Sequence, residues 1–140
     1  MQVLSVASEV FPLVKTGGLG DVVAALPPAL AAEGVTMRTL VPGYSAVLAA
    51  LDGAETVHTF ANLYGTPARL LAADAAGLSL YVLDAPKLFA RPGTPYADAQ
   101  GTPWPDNAFR FAALCAAAAA IARGAIPAFV PDVVQAHDWQ

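Results

Sequence analysis

Short apolar runs and helical apolar periodicity take turns along this chain. Gln2 to Ala7, apolar at Val3, Leu4, Val6 and Ala7, reads as a buried strand. Asp21 to Glu33 carries a helical apolar pattern, and Pro27-Pro28 inside it predicts a kink or a break, with Gly34 as the stop. Val35 to Val41 reads as a second strand, ended by Pro42-Gly43. Strand, helix, strand is a βαβ unit, so the expected class is α/β with a right-handed crossover. Ser45 to Leu51 suggests a short helix. Val57 to Leu63, Ala68 to Ala73 and Leu78 to Leu83 suggest three strands, with turn signals at Tyr64-Gly65-Thr66-Pro67 and Asp74-Ala75-Ala76-Gly77. Their short connections favour antiparallel pairing, which makes the sheet mixed though mostly parallel. Arg91 to Pro105 is a Pro/Gly-rich loop of a length that is usually functional or disordered. Pro105 to Gly124 is the clearest helix, with Phe109, Phe111, Leu114, Cys115, Ala118 and Ile121 as a broad buried face. Pro131 to Ala136 forms the last strand and delivers His137-Asp138-Trp139-Gln140 at its end.

Composition narrows the partners. At 140 residues, 56% hydrophobic and 13% charged, the chain has the size and core content of one globular domain. A net charge of −4 with seven basic residues argues against nucleic acid, which needs a basic footprint. No basic cluster suits a membrane surface, and the uncharged run Phe111 to Ala122 is shorter than the ~20 residues of a membrane span. The N-terminus lacks a charged n-region and Glu9 interrupts the apolar stretch, so no secretory signal is expected. The single Cys115 excludes an internal disulfide and a cysteine-cluster metal site, leaving a buried small hydrophobe as its default role. The expected location is the cytoplasm.

Candidate chemistry concentrates between the first strand and the first helix, at Lys15-Thr16-Gly17-Gly18-Leu19-Gly20-Asp21. Unpaired backbone N–H groups converge at such a junction and favour an anion, with Lys15 adding a mobile charge. Walker A is excluded because its Lys follows the glycines, and the dinucleotide fingerprint fails at Val23. The glycines alone equally fit a tight strand-to-helix connection with a solvated Lys15. Elsewhere the bland readings prevail. His58 is a structural strand residue, Asp84 caps the turn that follows it, and Arg110 forms an i,i+4 ion pair with Asp106 worth a few tenths of a kcal/mol.

The run Ser8-Glu9-Val10-Phe11-Pro12-Leu13-Val14-Lys15-Thr16-Gly17-Gly18-Leu19-Gly20-Asp21-Val22 resembles the opening of bacterial glycogen synthases and plant starch synthases, S-E-x-x-P-x-x-K-T-G-G-L-x-D-V. Leu40-Val41-Pro42-Gly43-Tyr44, Arg91 to Tyr96, Asp106-Asn107-Ala108-Phe109-Arg110-Phe111 and Pro131 to Gln140 are similar to later segments of that family. Gln135 departs where a His is frequent. The resemblance implies a Rossmann-like N-terminal domain of the two-domain glycosyltransferase-B fold, of which residues 1–140 are an incomplete portion. It implies a retaining glucosyltransferase that moves glucose from ADP-glucose to the non-reducing end of an α-1,4-glucan, with no metal or cofactor.

By the same resemblance Lys15 contacts the donor diphosphate and Gly17 and Gly18 shape a loop over the donor. Asp138 approaches the transferred glucose as the catalytic residue, and Glu9, Tyr96 and Trp139 line the sugar and acceptor region. The 140 residues alone are expected to be inactive. Two other readings fit the same residues: a glucan-binding or folding unit without catalysis, and a dinucleotide-binding α/β module.

Overall fold

The computed structural model describes residues 1–140. Six strands form one sheet in the order β3-β4-β5-β2-β1-β6. Strands β1 (Gln2–Val6), β2 (Thr36–Pro42), β5 (Leu78–Asp84) and β6 (Val133–Ala136) run parallel, whereas β3 (Asp52–Leu63) and β4 (Thr66–Ala75) add an antiparallel hairpin beside β5. The mixed, mostly parallel α/β architecture expected from the pattern is the one observed. Central β1 and β2 are buried at nearly every position, Ser5 and Thr39 included, because both faces are covered, as parallel strands require. The register Val3↔Met37 through Val6↔Leu40 aligns their carboxyl ends.

Strand β3 starts at Asp52, five residues before the apolar signal, because an edge strand needs only ladder bonds to β4 and little burial. Helix α1 (Gly18–Ala31) runs unbroken through Pro27 and Pro28, so the expected break is not made. Its packing on β2, with Gly20 and Val23 buried, outweighs the loss of two backbone donors. Helices α2 (Ser45–Ala49) and α3 (Pro86–Phe89) are short, and α4 (Asn107–Ala122) packs on β1 and β2.

Three further expectations are corrected. Phe109 and Cys115 are exposed, because the buried stripe of α4 is narrower and follows Arg110, Phe111, Ala113, Leu114, Ala117, Ala118 and Ile121. Asp84 caps nothing; it accepts from Arg69 Nε and Nη2, at 3.1 and 2.5 Å, across the β4–β5 ladder. Asp106 pairs with Arg91 in a two-pronged contact of 2.7 and 2.6 Å, and Arg110 turns inward instead. Helical spacing brings residues 106 and 110 to one side, but the core has a better use for a guanidinium.

Sheet order fixes where a ligand can sit. From β1 the chain steps to β2 on one side, while β6 lies on the other. The carboxyl ends of β1 and β6 therefore border a topological switch point, the usual ligand crevice of an open α/β sheet.

Candidate functional site

Residues 7–17 leave the carboxyl end of β1, and His137 to Gln140 leave that of β6. The second segment is tied back to the end of β1: His137 N donates to Val6 O at 3.0 Å, and His137 Nε2 lies 3.1 Å from the buried Ser5 Oγ. Burial holds the His137 imidazole below its ordinary value near 6.5, which favours the neutral ring at this contact.

The loop after β1 is pinned at both ends. Val10 and Val14 exchange backbone bonds of 3.0 Å, and Phe11 N donates to Gly20 O at 3.0 Å. Gly20 is a packing glycine, since a Cβ there would stand 3.3 Å from Val14 O and 3.4 Å from Phe11 N. Gly17 and Gly18 differ. Neither has a left-handed backbone, and a Cβ on either would meet nothing within 4 Å. The fold of this chain does not need glycine at those two positions.

Electrostatics around the loop are organised by Glu9, which is 2% exposed. Its Oε2 accepts from the amides of Thr16 (2.5 Å) and Gly17 (3.4 Å). Its Oε1 accepts from Thr16 Oγ1 (2.6 Å) and from the hydroxyl of Tyr96 (2.5 Å). Burial works to raise this carboxyl, but those donors outweigh it and hold the group below its ordinary value near 4.5. The glutamate thus occupies two amides that the glycine pattern left free for a ligand. The amides of Gly18, Leu19 and Gly20, in the first turn of α1, have no partner in the chain. Lys15 Nζ stands beside them, paired with Asp21 Oδ2 at 2.5 Å and 5.7 Å from the Phe11 ring centre. Both partners are about half exposed, so the pair is worth under ~1 kcal/mol and yields readily to a stronger anion.

Tyr96 lies between the two segments. Its ring centre is 6.0 Å from Phe111 and 6.2 Å from Trp139, and Phe111 meets Trp139 edge-on at 5.5 Å. Trp139 is 65% exposed and forms the open end of this cluster. Asp138, in the left-handed region at φ 61°, uses Oδ1 to accept from the Trp139 amide at 2.9 Å, which sets the turn that displays the indole. Burial, aided by the Glu9 contact and the charges of Glu9 and Asp138, pushes the Tyr96 hydroxyl far above its ordinary range, so it stays a donor.

The structure therefore gathers Glu9, Lys15, Gly17, Gly18, Tyr96, Asp138 and Trp139 at the β1–β6 edge. Arg110, expected from the sequence to pair with Asp106, has a larger structural role. It is 1% exposed and donates to Leu88 O (2.6 Å), Pro95 O (2.8 Å) and Asn107 Oδ1 (2.6 Å), between the rings of Phe89 and Phe111. Those bonds order the loop that carries Tyr96. Thr94 Oγ1 and Asp98 Oδ1 complete it by accepting nearby amides, and Gly93, at φ 117°, makes the tight turn where a Cβ would stand 2.4 Å from Ala97 O. The sequence signals for Arg110 were its place between two aromatic residues and in the family-like segment Asp106 to Phe111, and neither names its partners.

Comparison with known proteins places this geometry among relatives. A family model described as the starch synthase catalytic domain matches residues 2–140. The glycogen synthase of Rhodopseudomonas palustris strain BisB18 is 64% identical over 137 residues, covering 98% of this chain and 28% of that protein. The glycogen synthase of Acidiphilium cryptum strain JF-5 is 61% identical over 140 residues, covering 100% of this chain and 29% of that protein. Among solved structures, the catalytic domain of starch synthase IV from Arabidopsis thaliana, bound to ADP and acarbose, superposes with a TM-score of 0.68 at 26% identity. That match covers 98% of this chain and 28% of the plant chain. The chain thus spans less than a third of the relatives it matches.

Proposed function

We propose that this chain, which belongs to the starch synthase catalytic-domain family, forms the N-terminal wall of the cleft in a retaining glucosyltransferase. The reaction moves glucose from ADP-glucose to the non-reducing end of an α-1,4-glucan. The chain is then part of a larger two-domain enzyme of glycogen or starch synthesis, working in the cytoplasm. The plant relative's ADP and acarbose are a nucleotide and a glucan-like sugar, the two partners this reading requires.

The observation that carries the proposal is the pair Gly17 and Gly18. Neither backbone angle nor packing asks for glycine there, so the missing side chains serve an approach from outside. Three free amides and Lys15 flank that approach, a setting for a diphosphate whose charge grows as it leaves. Each charge-assisted bond contributes about 1.5–3 kcal/mol, more than the exposed Lys15–Asp21 pair retains. The diphosphate therefore draws Lys15 off Asp21. Asp138, at the end of β6, faces the transferred glucose in this reading, while Trp139 and the ring of Tyr96 offer flat apolar faces to the glucan. No nucleophilic carboxylate is assigned, since the leaving phosphate assists attack on the same face.

Gly18→Ala tests the proposal. Alanine at the first position of α1 leaves the fold intact or adds up to about 1 kcal/mol to its stability. The kcat/KM for ADP-glucose in the full-length enzyme should nonetheless fall at least about tenfold, because a methyl group enters the path of the diphosphate. Equal donor kinetics in Gly18→Ala and parent would remove the argument from the glycines.

A further inference from the structure

The proposed reaction gives no task to the carboxylate of Glu9 or the hydroxyl of Tyr96, although they form the most connected polar contact in the chain. Tyr96 is held from two directions. Asn107 Nδ2 donates to its carbonyl at 2.9 Å, Trp104 N does so at 3.1 Å, and Arg110 grips the preceding carbonyl of Pro95. Arg110 also holds Asn107 through its side-chain oxygen, so α4 anchors the loop backbone by two linked side chains. On the other side the hydroxyl reaches Glu9 Oε1 at 2.5 Å, with the buried Ser8 Oγ 2.8 Å away as its second partner.

We propose that Tyr96 is a positioning residue: its hydroxyl, fixed from α4 through Arg110 and Asn107, orients the Glu9 carboxylate that orders Thr16 and Gly17, and thereby places Lys15 for the donor diphosphate. The inference rests on the donor reading of Lys15 above. Lys15 sits between Val14, bridged to Val10, and Thr16, bound to Glu9 through both its amide and its hydroxyl. Its backbone therefore follows the rotation of the Glu9 carboxylate. Without the tyrosine hydroxyl, Oε1 keeps only Thr16 Oγ1, and nothing from the far side of the site stops the carboxylate from turning. The Tyr96 hydroxyl joins the acceptor-side loop to the donor-side loop, its bond to Glu9 spanning eighty-seven residues of sequence.

Tyr96→Phe separates hydroxyl from ring, since phenylalanine keeps the packing against Phe111 and Trp139. In the full-length enzyme, kinetics with ADP-glucose and glucan varied separately are combined with hydrogen exchange at the Thr16 and Gly17 amides. The expected result is a kcat/KM for ADP-glucose lowered about tenfold, the loss of one bond to a charged group, with the glucan KM unchanged and Thr16 exchanging faster. Parent-like donor kinetics, or an effect confined to the glucan KM, overturns the inference. If the parent enzyme transfers no glucose from ADP-glucose, the functional reading fails and exchange alone judges the contact. Faster Thr16 exchange in Tyr96→Phe then supports it and unchanged exchange overturns it.

Discussion

Replacing Arg110 with alanine should unfold this chain far more easily than a surface helix position would allow. The side chain is 1% exposed and supplies the donors for the carbonyls of Leu88 and Pro95 and for Asn107 Oδ1. Each buried acceptor left unpaired costs about 1–3 kcal/mol, and the emptied volume between Phe89 and Phe111 adds a cavity term of similar size. One effect runs the other way. Burial disfavours the guanidinium charge and pushes its pKa down, so deleting it relieves a desolvation cost. The net expectation is a loss of about 3 kcal/mol, against the few tenths that an i,i+4 pair with Asp106 would contribute. With a urea slope of about 1–3 kcal/mol per molar, the midpoint should fall by about 1–3 M, followed by circular dichroism and tryptophan fluorescence. Arg110→Lys should recover little, because an ammonium cannot present the same fork to three acceptors. A midpoint for Arg110→Ala within about 0.3 M of the parent would refute the reasoning, and with it the claim that this residue orders residues 88–95.

Lys15→Ala in the full-length enzyme should lower kcat/KM for ADP-glucose by about 10- to 100-fold, with Lys15→Arg recovering part of it; parent-like donor kinetics would remove Lys15 from the diphosphate site. Trp139→Ala should raise the glucan KM several-fold with the ADP-glucose KM little changed, because the exposed indole does no structural work beyond its edge contacts; substrate-by-substrate kinetics decide it. Glu9 has a folded pKa held below its unfolded value near 4.5, so its contribution is fully present above that pH and is lost as pH falls through the lower folded value. Thr16 amide protection, measured from pH 6 downwards, should therefore survive to about pH 4.5 and then decline, and it should do so earlier in Tyr96→Phe.

Element types were legible because they depend on local pattern. Strand β1, the glycine stop at Gly34, the hairpin turns near Gly65 and Gly77 and the start of α4 follow from periodicity and turn chemistry within a few residues. The motif from Ser8 to Val22, with the later segments similar to the family, likewise pointed to the family that the match over residues 2–140 shows. Sequence also located the candidate site at the strand-to-helix junction, since orphan amides at a helix start are a local consequence of helix geometry.

What sequence could not decide was which partner each polar side chain takes. Asp106 chose Arg91 over Arg110, Asp84 chose Arg69 over the next turn, and Glu9 chose Tyr96 and the Thr16 amide over an open cleft. For the two aspartates a two-pronged or shared guanidinium contact brought together by folding outcompetes a cap or an i,i+4 pair. The same holds for Pro27-Pro28, where packing on β2 overrode a local penalty, and for Cys115, whose exposure depends on which face of α4 meets the sheet. Local free energies named the elements, while the stronger long-range contacts, possible only once the sheet order is set, assigned the side chains their roles.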